Sequence, residues 1–230
     1  MEIFGESKPV FYFRYKGEVN TARVLELARE RALELGIGKM VVPSETGRSA
    51  LRALEVLKGT SVHLIVVTHP PAATRGPKGD IPIGLSHPAY RKVRDYLVQK
   101  GVTVVQGTRP FGGFERWFGW ETPVPAAFVD KALELFGPGT KIAIEAAIMA
   151  TDAGALEEGE EVVTLGGTYK GLDTALVVRT AGSSTLFSRF EVLEIIAKPR
   201  YPGIRLPEYE QENWQGDLEQ YYRPIELPPM

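Results

Sequence analysis

Short runs of apolar residues, rich in valine, recur along the chain and do not alternate with polar residues. Such runs are typical of β-strands that are covered on both faces of a sheet. Five runs predict strands: Met40–Val42, Val62–Val67, Val102–Val105, Val162–Leu165 and Ala175–Val178. A sheet of this kind needs a layer of helices on each face.

Helical patterns separate these strands through the first half of the chain. Apolar residues at three- and four-residue spacing predict helices at Thr21–Leu35, Ala50–Leu57, Ser86–Lys100, Ala126–Phe136 and Ile142–Ala153. Because strands and helices alternate, we expect right-handed crossovers and parallel strands.

The later strands have a different arrangement. The segments Val162–Leu165, Leu172–Thr180 and Phe190–Ile196 follow one another without helices, so we expect them to pair antiparallel at one edge of the sheet. The sequence therefore predicts a three-layer α/β/α fold with a mixed, mainly parallel sheet, in a single domain over residues 1–198.

Residues 199–230 form a tail that is rich in proline, tyrosine and acidic residues and has no sustained periodicity. Two interpretations stay open. The tail packs along its own domain, or it is an arm that lies across a second subunit of a homo-oligomer. Trp214, Tyr221 and Tyr222 would be the apolar anchors of such an arm.

Composition limits the classes of partner and chemistry. The net charge is −2 with both signs interleaved, which disfavours nucleic acids and anionic membranes. The chain has no cysteine, which excludes disulfides, thiol catalysis and Cys-ligated zinc, and no cluster has metal-ligand spacing. It has no signal-peptide pattern and no apolar run of the ~20 residues that span a membrane, so we expect a cytoplasmic protein.

Polar and glycine-rich loops follow four of the predicted strands, where ligands of parallel sheets bind. These loops are SETGRS at 44–49, THPP at 68–71, GTRPFGG at 107–113 and GGTYKG at 166–171. Taken singly, Ser44 and Thr46 are explained as helix caps and the glycines as turn residues. Taken together with Arg48, the hydroxyl groups and the N–H groups of a helix start favour a phosphate site.

Two long connections, Pro70–Pro88 and Gly107–Pro125, have the length of lids or binding loops. The second contains a dense group of aromatic residues at 111–120. These rings would stack on a planar ligand, form a satellite core or contact another subunit.

No motif demonstrates catalysis, but two side chains are candidates for an acid or a base. His69 lies at the carboxyl end of a strand, whereas His63 is expected in the core and His87 at a helix start. Glu145 interrupts an apolar helix and shares a face with Met149 and Asp152. That face is either exposed to solvent, or it directs a partly buried carboxylate into the cleft, where burial would raise the pKa of Glu145.

The segment SETGRSA after a buried strand, followed by VVTHP at the end of the next strand, resembles the C-terminal α/β domain of pyruvate kinases. In that domain a loop similar to Ser44–Ser49 holds a phosphate of a sugar-phosphate effector. The resemblance covers roughly residues 15–180 and leaves no room for the catalytic barrel, so pyruvate kinase activity is not expected. The closer likeness is to stand-alone proteins similar to this domain, through NT at 20–21, SETG, VVTH, IAIEAAIMATDAG and GGTYKGLDTALVV.

Members of the stand-alone family look like flavin mononucleotide (FMN) binders without an assigned reaction. The resemblance implies a phosphate on the Ser44–Ser49 loop and a flavin ring near Thr68, Gly166 and the aromatic loop. The residues expected to bind the ligand are Asn20, Thr21, Ser44, Thr46, Gly47, Arg48, Ser49, Thr68, His69, Gly166, Gly167 and Thr168.

Three functions follow as alternatives. The first is a phosphate-anchored ligand-binding protein, with FMN as the favoured ligand. The second is an enzyme, either a flavin-dependent oxidoreductase or a phosphosugar-processing enzyme, with His69 or Glu145 as acid or base. The third is a regulatory module that keeps only an effector site.

Overall fold

The computed structural model describes residues 5–112, 124–201 and 214–229. Seven strands belong to one sheet: β1 (Phe11–Phe13), β2 (Lys39–Pro43), β3 (His63–Thr68), β6 (Thr103–Gln106), β7 (Glu161–Gly166), β8 (Thr174–Arg179) and β9 (Glu191–Pro199). Two more, β4 (Ala72–Gly76) and β5 (Gly79–Ile83), pair as a separate antiparallel hairpin. The order in the main sheet is β1-β9-β8-β7-β2-β3-β6.

The sheet is mixed and mainly parallel, as predicted. Neighbours β7, β2, β3 and β6 run parallel to one another, and β8 is antiparallel to both β7 and β9. The outermost strand, β1, pairs parallel with β9 and was not predicted. It has only three residues, two of them exposed, so its sequence carries no clear strand pattern.

The helices form a layer on each face of this sheet. They are α1 (Thr21–Leu35), α2 (Arg48–Val56), α3 (Arg91–Gln99), α4 (Pro125–Glu134), α5 (Pro138–Asp152) and the single turn α6 (Leu186–Arg189). Buried residues of α1, α2 and α3 share one hydrophobic cluster with one face of the sheet, and those of α5 share a second cluster with the other face. The predicted three-layer α/β/α fold is therefore confirmed.

Three local expectations were wrong. The connection Pro70–Pro88 is not structureless, because most of it forms the β4–β5 hairpin, whose Ile81 is fully buried. Helix α5 begins earlier than predicted, because Pro138 occupies its first turn, where proline is favoured. His63 is exposed rather than in the core, and its ring contacts the hydroxyl of Thr103 on the edge strand.

The described part of the tail, residues 214–229, packs on the chain's own domain. Trp214 forms a parallel bridge with Lys16, and the backbone N–H of Gln215 donates to the Lys16 carbonyl at 2.9 Å. Val19 N–H in turn donates to the Gln215 carbonyl at 3.1 Å. These contacts fit the first interpretation of the tail, and an arm across a second subunit stays a prediction.

Within the described ranges, no helix is both long and apolar enough to cross a membrane.

Candidate functional site

The four polar loops lie along one edge of the sheet. Strands β7, β2, β3 and β6 are adjacent and parallel, so their carboxyl ends bring together residues 166–171, 44–47, 68–69 and 107–109. This is the arrangement that the alternation of strands and helices predicted.

The Ser44–Ser49 loop leads directly into α2. The hydroxyl oxygen of Ser44 accepts from the N–H of Ala50 at 3.3 Å, which holds the loop against the helix start. The N-cap residue, Gly47, has no side chain, and the first-turn N–H groups of Arg48 and Ser49 have no acceptor among the described residues. Two N–H donors and the positive end of the helix dipole therefore remain available to an anion.

Gly47 has to be glycine for reasons of geometry. Its φ is 91°, and a Cβ added there would lie 2.3 Å from Cγ1 of Val93 in α3. The loop thus packs on α3 more closely than any other residue would allow.

Arg48 is half-buried beneath the C-terminal segment. Its guanidinium group donates to the carbonyl oxygens of Gln220 and Arg223, the second at 2.9 Å. The guanidinium carbon lies 5.5 Å from the ring centroid of Tyr221, and burial lowers the pKa of Arg48. Its Nε is buried without a hydrogen-bond partner in the described part of the chain.

Lys170 is a second cation at this edge, and the set of predicted ligand-binding residues missed it. It is 9% exposed, and its ammonium group has no hydrogen-bond acceptor or ion-pair partner among the described residues. The group lies 5.3 Å from the ring centroid of Tyr169 and 5.4 Å from that of Tyr221. Burial lowers the pKa of Lys170, and the nearby carboxylate of Glu45 opposes this effect. The sequence signal that could have identified Lys170 is a lysine in a glycine-rich loop that follows a strand.

Tyr169 shows that this loop is held under strain. Its φ of 62° is the only positive φ of a non-glycine residue in the described ranges. Such a conformation costs about 1–3 kcal/mol and persists only where surrounding contacts hold it. The ring packs edge-on against Trp214 at 5.7 Å, and the hydroxyl donates to the carbonyl of Arg75 at 3.1 Å.

The predicted residues Gly166, Gly167 and Thr168 build the loop. A Cβ on Gly166 would lie 1.9 Å from a carbonyl oxygen at the start of α5, and one on Gly167 would lie 2.0 Å from a carbonyl within the loop itself. The N–H of Thr168 donates to the fully buried carboxylate of Asp173 at 3.2 Å, and the N–H of Gly17 donates to it at 2.9 Å. Burial raises the pKa of Asp173. The short distances from an added Cβ show that close packing alone accounts for glycine at positions 166 and 167.

Asn20, Thr21 and Thr68 use their side chains inside the fold. The amide of Asn20 donates to a backbone carbonyl at 2.8 Å. The hydroxyls of Thr21 and Thr68 accept from backbone N–H groups at 2.9 and 3.1 Å. These hydrogen bonds position the loops, and no described contact of the three side chains points to a ligand.

His69 is paired with a carboxylate that the sequence analysis did not single out. Its Nδ1 contacts the side chain of Glu45, and the two side chains are 24% and 31% exposed. The two groups lie within ion-pair distance without a hydrogen bond to Nδ1, and Nε2 is left for a proton transfer.

Glu145 is buried, so the solvent-exposed interpretation of its helix face is wrong for this residue. It is 1% exposed because α5 packs closely against the sheet, and Met149 is buried with it. Its carboxylate accepts from the N–H of Phe111 at 3.2 Å and lies 3.9 Å from Nη1 of Arg109. Burial raises the pKa of Glu145, with Arg109 and Lys141 opposing.

Glu145 does not join the Ser44–Ser49 loop. It lies in the hydrophobic cluster of α5, on the face of the sheet opposite α2, and no described contact links the two. Most of the aromatic segment at 111–120 lies outside the described residues, so its three interpretations stay predictions. The described residues contain no group of His, Asp and Glu that could hold a metal ion.

Residues 22–178 of the chain match the family model of the pyruvate kinase alpha/beta domain. The match covers about two thirds of the chain and includes all of the strand ends described above.

Proposed function

Because the chain belongs to the pyruvate kinase alpha/beta domain family, we propose that it binds a phosphorylated ligand at the carboxyl edge of its sheet. The Ser44–Ser49 loop and Lys170 hold the phosphate group, and FMN is the favoured ligand. The observation that carries the proposal is Lys170, which is 9% exposed and whose ammonium group has no acceptor among the described residues. A cation that is largely removed from water favours an anionic partner.

The two cations border the same aromatic ring. The charged centres of Arg48 and Lys170 lie 5.5 and 5.4 Å from the ring centroid of Tyr221, so a ligand that takes the place of this ring can reach both. The N–H groups of Arg48 and Ser49 start the helix beside them. A phosphate dianion there gains a point charge from lysine, hydrogen bonds from the guanidinium group and the field of the helix.

A flavin is favoured over other phosphorylated ligands for two reasons. The likeness to stand-alone relatives implies FMN, and the ring of Tyr169 lies beside the ammonium group of Lys170. Aromatic rings provide stacking surfaces for a planar ligand. A cytoplasmic location is part of the same proposal.

Isothermal titration calorimetry with FMN and riboflavin tests the proposal, because the two ligands differ only in the phosphate. We expect FMN to bind much more tightly than riboflavin. Arg48→Ala and Lys170→Met should each weaken FMN by roughly tenfold or more, as for the loss of a charge-assisted hydrogen bond, and leave riboflavin unchanged. Lys58→Met, at an exposed lysine, is the matched control and should bind as the unaltered protein does.

Two results count against parts of the proposal. If inorganic phosphate binds and FMN does not, the flavin is the wrong ligand. If neither binds, or if both variants bind FMN as the unaltered protein does, the site is wrong.

The pairing of His69 with Glu45 favours an enzyme as a second candidate, either a flavin-dependent oxidoreductase or a phosphosugar-processing enzyme. Turnover of a nicotinamide donor with a panel of acceptors, and of phosphosugars, tests it. His69→Ala should abolish an activity that uses this ring, whereas His63→Ala, at an exposed histidine outside the site, should not. Equal rates in both variants would remove His69 from the reaction.

A further inference from the structure

We infer that residues 214–229, here called the C-terminal cover, compete with the phosphorylated ligand for Arg48 and Lys170, so that the chain inhibits its own site. The inference rests on the proposed function, because it concerns the regulation of the same site. Three sets of contacts carry it.

The first set occupies the Nη2 group of Arg48. Its guanidinium group donates to the carbonyl oxygens of Gln220 and Arg223, both in the cover. Carbonyl oxygens carry a partial negative charge and stand where a phosphate oxygen would be held. A phosphate oxygen carries a full negative charge and attracts the guanidinium group more strongly than a neutral carbonyl does, so phosphate can replace these carbonyls.

The second set places Tyr221 over both cations. The ring is 7% exposed, and its centroid lies 5.5 Å from the guanidinium carbon of Arg48 and 5.4 Å from the ammonium nitrogen of Lys170. A phosphate that contacts either cation in place of the ring has to displace Tyr221. Closure of the cover and binding of phosphate to these two groups therefore compete.

The third set attaches the cover to the rest of the site. The indole N–H of Trp214 donates to the Lys170 carbonyl at 3.0 Å, and its ring lies against Gly17, where an added Cβ would be 2.1 Å away. The amide of Gln220 donates to the carboxylate of Glu18 at 2.7 Å. The cover is therefore attached at two points, through Trp214 to the Lys170 carbonyl and through Gln220 to Glu18.

A second attachment lies on the hairpin. The hydroxyl of Tyr222 accepts from Lys78 N–H at 3.0 Å and donates to the Gly79 carbonyl at 2.9 Å, and the Lys78 ammonium pairs with Glu219. These contacts are solvent-exposed, and exposed pairs contribute little.

The contacts with Arg48 and Lys170 are therefore one part of what holds the cover closed, beside the backbone bonds at Gln215 and the packing of Ile225 and Leu227 on the core. Closure reduces the apparent affinity to the fraction of molecules that are open.

Hydrogen exchange on the unaltered full-length protein tests the competition directly. The amides of Gln215 and Val19 donate across the junction between the cover and the domain, so they report its release. Saturating FMN, and separately inorganic phosphate, should accelerate exchange at these amides. Slower or unchanged exchange at saturation would overturn the inference, because the ligand would then bind with the cover closed.

Tyr221→Ala and Tyr221→Leu provide the second arm, and Leu keeps an apolar side chain in case Ala disturbs the fold. Both should bind FMN about fivefold to tenfold more tightly, since the competing cation–π contacts are removed. Tyr12→Ala, at an exposed tyrosine in the edge strand, is the matched control and should bind as the unaltered protein does.

The outcomes separate the two proposals. FMN binding that is weakened by Lys170→Met but unchanged or weakened by both Tyr221 variants overturns the cover and leaves the proposed function standing. Absence of FMN and phosphate binding even in the Tyr221 variants overturns both.

Discussion

Replacing Lys170 by methionine should have opposite effects on folding and on binding. The lysine is 9% exposed and lacks an acceptor among the described residues, so its charge opposes folding of the unliganded protein. Methionine has a similar length and no charge. A lysine that is present only for structure would instead lose stability on this change.

The magnitude follows from two opposing contributions. Removing an ammonium group largely from water costs up to several kcal/mol, and the contacts with the two tyrosine rings and the attraction of Glu45 return part of that cost. The remainder predicts that Lys170→Met raises the free energy of unfolding at neutral pH by about 1–2 kcal/mol.

The pH dependence of the free energy of unfolding provides a second test of this prediction. Burial lowers the pKa of Lys170 below its ordinary value of 10.5. Between the lowered value and 10.5 the unfolded chain binds more protons than the native protein, so the stability of the unaltered protein rises with pH across this window. The advantage of Lys170→Met should therefore shrink as the pH rises and vanish above 10.5.

Urea denaturation followed by far-UV circular dichroism at neutral and alkaline pH measures both effects, with Lys58→Met as the control at an exposed lysine. A Lys170→Met variant that is less stable than the unaltered protein at neutral pH, by an amount that does not change with pH, would refute the reasoning.

Three further predictions concern the framework of the site. Gly47→Ala should lose about 2–4 kcal/mol, from its positive φ and the contact with Val93, whereas Gly36→Ala, with a positive φ but open space, should lose only about 1 kcal/mol in the same denaturation assay. Lys141→Met should lose about 3–5 kcal/mol, because it removes the buried ammonium group that pairs with the carboxylates of Asp130 and Glu134, and a loss below 1 kcal/mol would show that these pairs contribute little. Because the pKa of Glu145 is raised, the native protein binds the extra proton above the ordinary value of 4.5, so stability falls as pH rises through the raised pKa. Glu145→Gln should remove this fall, and an unchanged pH profile would contradict the assignment.

The edge of the sheet where the site lies could be predicted from the sequence, but the composition of the site could not. Apolar runs located β2, β3, β6 and β7, and the direction of parallel strands placed their following loops together. Each of these inferences needs only residues that are close in the sequence.

Lys170 was missed because its burial depends on Tyr221, which comes from the far end of the chain. The pairing of His69 with Glu45 likewise depends on which strands are neighbours. Glu145 could not be assigned to solvent or to the interior, since a single charged residue in an apolar helix fits both positions until the packing of α5 is known.

The central claim is that Arg48 and Lys170 hold the phosphate group of a ligand. A crystal structure of the protein with bound FMN tests it most directly. The account predicts the phosphate within hydrogen-bond distance of the Lys170 ammonium and the Arg48 guanidinium groups, with Tyr221 displaced from both. A phosphate bound elsewhere, with the ring of Tyr221 still against the two cations, would contradict it.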